Sequence, residues 1–202
     1  MSAIETFEIG RVLRASTEGF TCGTRSQEIL HPTFGAFVQT THEDGELVVV
    51  GVITAIRIDD DPLVRQLIMA GNMDATTLRD QRENRLVPVE IEVLNIGYVQ
   101  DDLPFYNLPP RPPLSLDPVN LLSTPNVEYF TQHLHFLRLI LTGNNGFSTP
   151  DLLGAVVRKA AGARPAAEQR AYLIDAGRYL AGLLSHDMAM LRYVLDMLRP
   201  VT

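Results

Sequence analysis

The chain has 202 residues, 46% of them apolar, with 17 basic against 24 acidic side chains. That composition supports a sizeable folded core, and no apolar run reaches the ~18 residues of a membrane span. A single cysteine, Cys22, excludes an internal disulfide and a thiolate zinc cluster.

The opening residues carry Glu5 and Glu8 and have no basic region followed by an apolar block. They do not read as a secretory signal, and a soluble, cytoplasmic protein is expected. Charge is unevenly spread. Residues 1–124 hold 9 arginines and no lysine against 18 acids, whereas residues 125–202 hold 8 bases against 6 acids. An acidic first part is a poor match for a phosphate backbone, since nucleic-acid affinity comes from basic groups displacing counterions.

Phe7 to Leu13 alternates weakly and predicts a first strand, and Phe20-Thr21-Cys22 a short second one after the turn at Glu18-Gly19. His31-Pro32 forces an extended entry to a third strand, Phe34 to Val38. Asp44-Gly45 supplies the positive φ angles of a hairpin, and Leu47 to Ile58 returns from it with Gly51 in the middle. A glycine inside so strong a strand predicts a bulge or a barrel corner. Asp59-Asp60-Asp61-Pro62 starts a short helical insertion, with a second expected from Asp74 through Arg82. Val87 to Ile96 then alternates as a strand with one buried face.

Leu103 to Pro125 contains seven prolines and reads as an extended connection over the barrel surface, neither helix nor central strand. The domain boundary is placed near Ser123, dividing the chain into residues 1–123 and a helical domain of residues 124–202. Four helices are expected there. The first runs from Thr124 to Leu141 and stops at Gly143, and the second opens at Ser148-Thr149-Pro150 with Leu152, Leu153, Val156 and Val157 as its stripe. The third spans Glu168 to Leu184, and the fourth is capped by Ser185 or Asp187 and buries Met188, Leu191, Val194, Leu195 and Leu198. The fold class is therefore α+β: a small antiparallel β-barrel with short helical insertions, followed by a four-helix bundle.

Candidate chemistry is sparse. The loop Gly143 to Thr149 precedes a helix but lacks the Gly-Lys-Ser/Thr ending that grips phosphates, and the only lysine, Lys159, lies ten residues beyond Thr149. His133 and His135, two apart on a helix, would point about 200° apart and could not share a metal. Ser185-His186-Asp187 holds the residue types of a hydrolase triad, but consecutively, which suits a helix cap rather than a triad. The Asp59–Asp61 acids read as a solvated helix start and Cys22 as buried filler. No catalytic residue, cofactor site or metal site is assigned.

Ile9-Gly10-Arg11-Val12, Phe34-Gly35-Ala36-Phe37-Val38, Val50 to Ile56, Glu90 to Gly97 and the prolines at 109–113 together resemble the HAS-barrel. That small β-barrel is shared by HerA-type DNA-translocating ATPases and rotary ATP synthase subunits. The resemblance covers residues 7–124 and stops where the family's ATPase core would begin, so ATP hydrolysis is not carried over. What it implies is the barrel's own role, in ring assembly and in docking a partner such as a NurA-type nuclease.

The expected function is thus a non-enzymatic assembly or docking protein in DNA processing, including repair. It would join or recruit an ATPase or nuclease through protein–protein interaction and oligomerisation. Phe34, Phe37, Asp59, Asp60 and Asp61 are the candidate partner contacts. Two alternatives stand beside it. One is a small enzyme with a site between barrel and bundle, lined by His133 or His135 and the Asp59–Asp61 acids. The other is a barrel that binds single-stranded nucleic acid, which the acidic charge disfavours.

Overall fold

The computed structural model describes residues 7–25, 32–42, 45–58, 69, 88–143 and 146–198. Seven strands form one antiparallel sheet: β1 (Glu8–Ala15), β2 (Gly19–Arg25), β3 (Phe37–Thr41), β4 (Leu47–Ile58), β5 (Pro88–Gln100), β6 (Leu103–Phe105) and β7 (Pro118–Leu121). Their order is β2-β1-β7-β3-β4-β5-β6, and β2 also pairs with β5. That last pairing closes six strands into a barrel and leaves β6 as a flap on its outside. Five helices follow: α1 (Thr124–Phe130), α2 (Leu137–Thr142), α3 (Thr149–Gly162), α4 (Ala166–Leu183) and α5 (Met188–Leu198). The α+β class and the barrel-then-helices order expected from the sequence are as observed. The expected helical insertions, and the acids of residues 59–61, fall almost wholly outside the described residues.

The long strand β5 governs closure. Its first half, from Pro88 to Leu94, pairs with β2, and its end, from Tyr98 to Gln100, pairs with β6. Along its other edge it pairs with β4 throughout, from Val89↔Ile58 to Gln100↔Leu47, with slips at Val50/Gly51 and Ile53/Ala55. Gly51 stands at the first slip, where a Cβ would lie 2.4 Å from the Val93 Cγ1 and 2.9 Å from the Leu94 carbonyl oxygen. The predicted bulge is there, and the Val93 side chain and the Leu94 carbonyl leave no room for a Cβ. Gly97 does the same where β5 changes partner: its φ is +149°, and a Cβ would meet the Phe105 carbonyl at 2.2 Å.

Two apolar cores explain the strand patterns. All six barrel strands fill the interior, through Ile9 and Val12, Phe20 and Cys22, Val38, Ile53, Ile91 and Val93, and Val119. A second core lies outside the barrel wall, where Phe37, Val50, Val52, Leu94 and Ile96 meet the helices. Strand β4 is therefore covered on both faces and is apolar from Leu47 to Ile53, whereas β1 has a solvated outer face and buries only Ile9 and Val12. Barrel and helices share this core, so the helical region is built on the barrel wall.

Three expectations need correction. The proline-rich segment is not merely a connection: it supplies the flap β6 and also β7, Pro118–Leu121, the barrel strand lying between β1 and β3. Proline is tolerated in β7 because it occupies only the first position, where Pro118 faces Arg11 of β1. The helix expected from Thr124 to Leu141 is two helices, broken at Thr131–His133 and rejoined by a 3₁₀ turn at Leu134–Phe136. Arg164 makes the break stable, as described below. Met188, expected in the core, heads α5 at 66% exposure, and Leu191 takes the first buried position of that helix.

Several local expectations are met in the fold. The β3–β4 hairpin is present, its loop closed by the Leu47 carbonyl accepting from the His42 amide at 3.1 Å, with Gly45 at φ +71°. Asp44 lies outside the described residues. The α3 stripe Leu152, Leu153, Val156 and Val157 is fully buried. Asp187 is the cap of α5, its Oδ1 accepting from the Met190 amide at 2.9 Å.

Candidate functional site

Of the five candidate contact residues, Phe34 and Phe37 are described; Asp59, Asp60 and Asp61 are not among the described residues. Phe34 sits in the turn before β3 and is 37% exposed, whereas Phe37 is 3% exposed, its ring edge-on to Phe136 at 6.2 Å. The two residues of the predicted Phe-x-x-Phe strand therefore part company. The strand starts only at Phe37, whose side chain enters the core shared with the helices and is not available to a partner.

A larger apolar surface lies along β1, where sequence reading placed no contact. Leu13, Leu114 and Leu116 are 48%, 54% and 69% exposed, with Phe7 at 40% toward the other end of the strand. Hydrogen bonds tie the loop before β7 to the backbone of β1. The Leu116 amide donates to the Val12 carbonyl at 2.8 Å, the Val12 amide donates to the Asp117 carbonyl at 3.0 Å, and Arg11 donates to the Leu116 carbonyl at 3.1 Å. The buried Asp117 carboxylate closes the turn by accepting from the Leu114 amide at 2.8 Å.

Leu116 itself has φ +74°, the left-handed region that a leucine enters only at a cost of about 1–2 kcal/mol. The surrounding hydrogen bonds over-determine that geometry, and its result is a leucine side chain held out in solvent. The sequence signal was Leu114-Ser115-Leu116 within a proline-rich stretch, two large apolar residues where a linker would carry polar ones.

The opposite flank of the barrel carries β6. Asp101 and Asp102 make the β5–β6 turn with φ +51° and +59°, and the Tyr129 hydroxyl donates to the Asp102 carbonyl. Tyr98 and Phe105 stack across this hairpin at 4.9 Å. The tightness of the turn fixes β6 against α1 and leaves Leu103 59% exposed beside two carboxylates.

His133 and His135 come together, contrary to the helical projection. Their rings stack at 6.2 Å with 21° between planes, because the segment is an extended residue followed by a 3₁₀ turn and not an α-helix. Tyr106 meets both rings edge-on or tilted, and the Tyr179 hydroxyl lies 3.1 Å from the His135 Nδ1. The Tyr106 hydroxyl donates to the Phe130 carbonyl at 2.9 Å, and burial raises its phenol above the ordinary value against the opposing backbone contact at His133. Among the described residues no group of three or more His, Cys, Asp or Glu side chains is placed to hold a metal ion, and no helix is long and apolar enough to cross a membrane.

Behind the histidines lies a buried cation. Arg164 is 8% exposed and donates to the Thr131 carbonyl at 2.8 Å, to the Thr131 hydroxyl at 3.0 Å and to the carbonyls of Glu128 and Ala160. These oxygens belong to the C-terminal ends of α1 and α3, whose dipoles favour positive charge. The site is structural, since every one of its contacts is internal.

Comparison with known proteins finds no family model that matches the chain and no curated protein that matches it.

Proposed function

We propose that this chain is a non-enzymatic assembly or docking protein, whose HAS-like barrel joins or recruits a HerA-type ATPase or a NurA-type nuclease in DNA processing. What carries the reading is the preformed apolar edge of Leu13, Leu114 and Leu116, beside a backbone strained at Leu116 and pinned by Arg11, Val12 and Asp117. Strain kept in a surface loop that fills no core of its own chain is characteristic of binding segments. A rigid apolar edge loses little conformational freedom when covered, which favours association. The acidic balance of residues 1–124 directs the surface toward a basic protein face and away from DNA.

The test is light scattering of the full chain, alone and mixed with a HerA-type ATPase or a NurA-type nuclease, beside the variants Leu13→Ser and Leu116→Asn. Asparagine tolerates the left-handed backbone better than leucine, so Leu116→Asn removes apolar surface without loosening the fold. The expected result is a complex or self-assembly with the native chain, weakened at least tenfold in both variants while their melting points hold. A chain that stays monomeric at high concentration and forms no complex with either partner would overturn the reading.

A further inference from the structure

Lys159 is the only lysine in 202 residues, and it faces the groove where barrel and helices join. Its Nζ donates to the Thr33 hydroxyl at 2.9 Å, tying α3 to the turn before β3. It makes no ion pair among the described residues. Burial, with the neighbouring Arg158 charge adding to it, lowers the ammonium below its ordinary value. A half-buried ammonium with one hydroxyl for company retains donors that call for an anion.

The cleft beside it holds about 350 Å³, the small end of the range that compact ligands occupy. Its wall is apolar, from Phe37, Leu122, Val127 and Ala163, and its rim carries the Thr33 and Thr124 hydroxyls. Arg158 does not supply a second cation there, because its guanidinium donates to the Met197 carbonyl at 2.7 Å across α5. One positive charge at the mouth of an apolar slot matches one negative charge at the end of an apolar chain. It does not match a phosphate group, which needs several donors and no greasy wall.

We propose that this cleft binds a short apolar carboxylate, its carboxylate on the Lys159 ammonium and its hydrocarbon end against the half-buried Leu121 and Leu122. The source of that chemistry is either a free short-chain acid or the C-terminal carboxylate of a peptide ending in an apolar residue. The site does not depend on the β1 docking edge and stands or falls without it.

A single lysine makes the test clean. The full chain labelled with ¹³C-lysine gives one set of side-chain signals, which are followed while octanoate, octylamine or inorganic phosphate is titrated. A peptide ending in Ala-Leu with a free carboxylate, and the same peptide amidated, form the second arm. Binding of both octanoate and the free-acid peptide supports the proposal, and binding of either alone supports it and identifies the source. The expected result is a saturable shift of the Lys159 signals with a free carboxylate and none with octylamine, phosphate or the amide.

Two variants, read by calorimetry with the same probes, separate charge from shape. Lys159→Met removes the cation. Gly162→Phe keeps the cation and adds bulk at a residue lining the cleft, where a Cβ would meet nothing within 4 Å. Each should weaken binding at least tenfold. Unmoved lysine signals with both carboxylates, an equal response to phosphate, or native affinity in either variant would overturn the proposal.

Discussion

The guanidinium of Arg164 lies 3.6 Å over the ring of Tyr172, and this pair sets where the first helix ends. Arg164 takes the carbonyls that α1 leaves open at Glu128 and Thr131, while the tyrosine covers its other face. The arrangement replaces four water contacts with protein ones and needs no carboxylate. Removing the cation would leave those buried carbonyls without donors.

Arg164→Met should therefore cost about 3 kcal/mol, since each buried carbonyl left without a donor costs about 1–3 kcal/mol. In a domain of this size that is a fall in melting temperature of roughly 6–12 °C. Arg164→Lys should lie between the two, since an ammonium lacks the planar fork. Calorimetry of the three proteins checks this, and a melting point within a degree of native for the Met variant would refute it.

The same pair predicts an alkaline transition. Burial pushes the Tyr172 phenol up to about 12, against the pull of Arg164, whereas an unfolded tyrosine ionises near ~10. Between those values the unfolded chain has lost the proton and the native one has kept it, so stability falls as pH rises. The contribution is complete below about pH 10 and gone above about pH 12, on the order of 3 kcal/mol in all. Urea unfolding from pH 9 to 12 should be steeper in pH for the native protein than for Tyr172→Phe. Parallel profiles would show that the phenol does not titrate differently on folding.

The sequence made some of this legible and hid the rest for identifiable reasons. Val48 to Ile53 announced itself by a β-branched run interrupted only by Gly51, and the α3 stripe by helical spacing. Strand β7 was hidden because a proline at Pro118 and several before it outweighed three ordinary strand residues. The break at Thr131 could not be read locally, since the group that stabilises it, Arg164, lies 33 residues away. That break also undid the projection of His133 and His135, which assumed a continuous helix. Phe34 and Phe37 looked equivalent in sequence and became, respectively, surface and core. The exposed Leu13–Leu116 edge escaped notice because its parts lie more than a hundred residues apart and meet only through β1–β7 pairing.

Gly51→Val tests the bulge. The added side chain would meet Val93 and the Leu94 carbonyl, and forced overpacking of a buried strand costs typically ~1–3 kcal/mol. Valine otherwise favours strand geometry, so propensity alone would raise stability. A lower thermal midpoint is expected, and an unchanged or higher one would make Gly51 an ordinary strand position.

Ending the chain at Ser123 tests whether the barrel stands alone. Phe37, Val50, Val52, Leu94 and Ile96 are each no more than 3% exposed and lie in the core shared with the helices. Exposing one large apolar side chain costs about 1.5–3 kcal/mol, so losing the cover over five of them removes on the order of 10 kcal/mol. That matches the whole stability of a typical domain, ~5–15 kcal/mol. The uncovered residues also lie on adjacent strands, β3, β4 and β5, and so form one continuous apolar face, the kind of surface that self-associates in water. The shortened chain should therefore aggregate or lose its cooperative urea transition, with Phe136→Ala in the full chain giving a milder version, about 3–5 kcal/mol, because the fully buried Phe136 ring packs against both Phe37 and Phe130. A shortened chain that remains monomeric by light scattering and unfolds with near-native cooperativity would show that the barrel carries its own stability and that the helices are an addition to it.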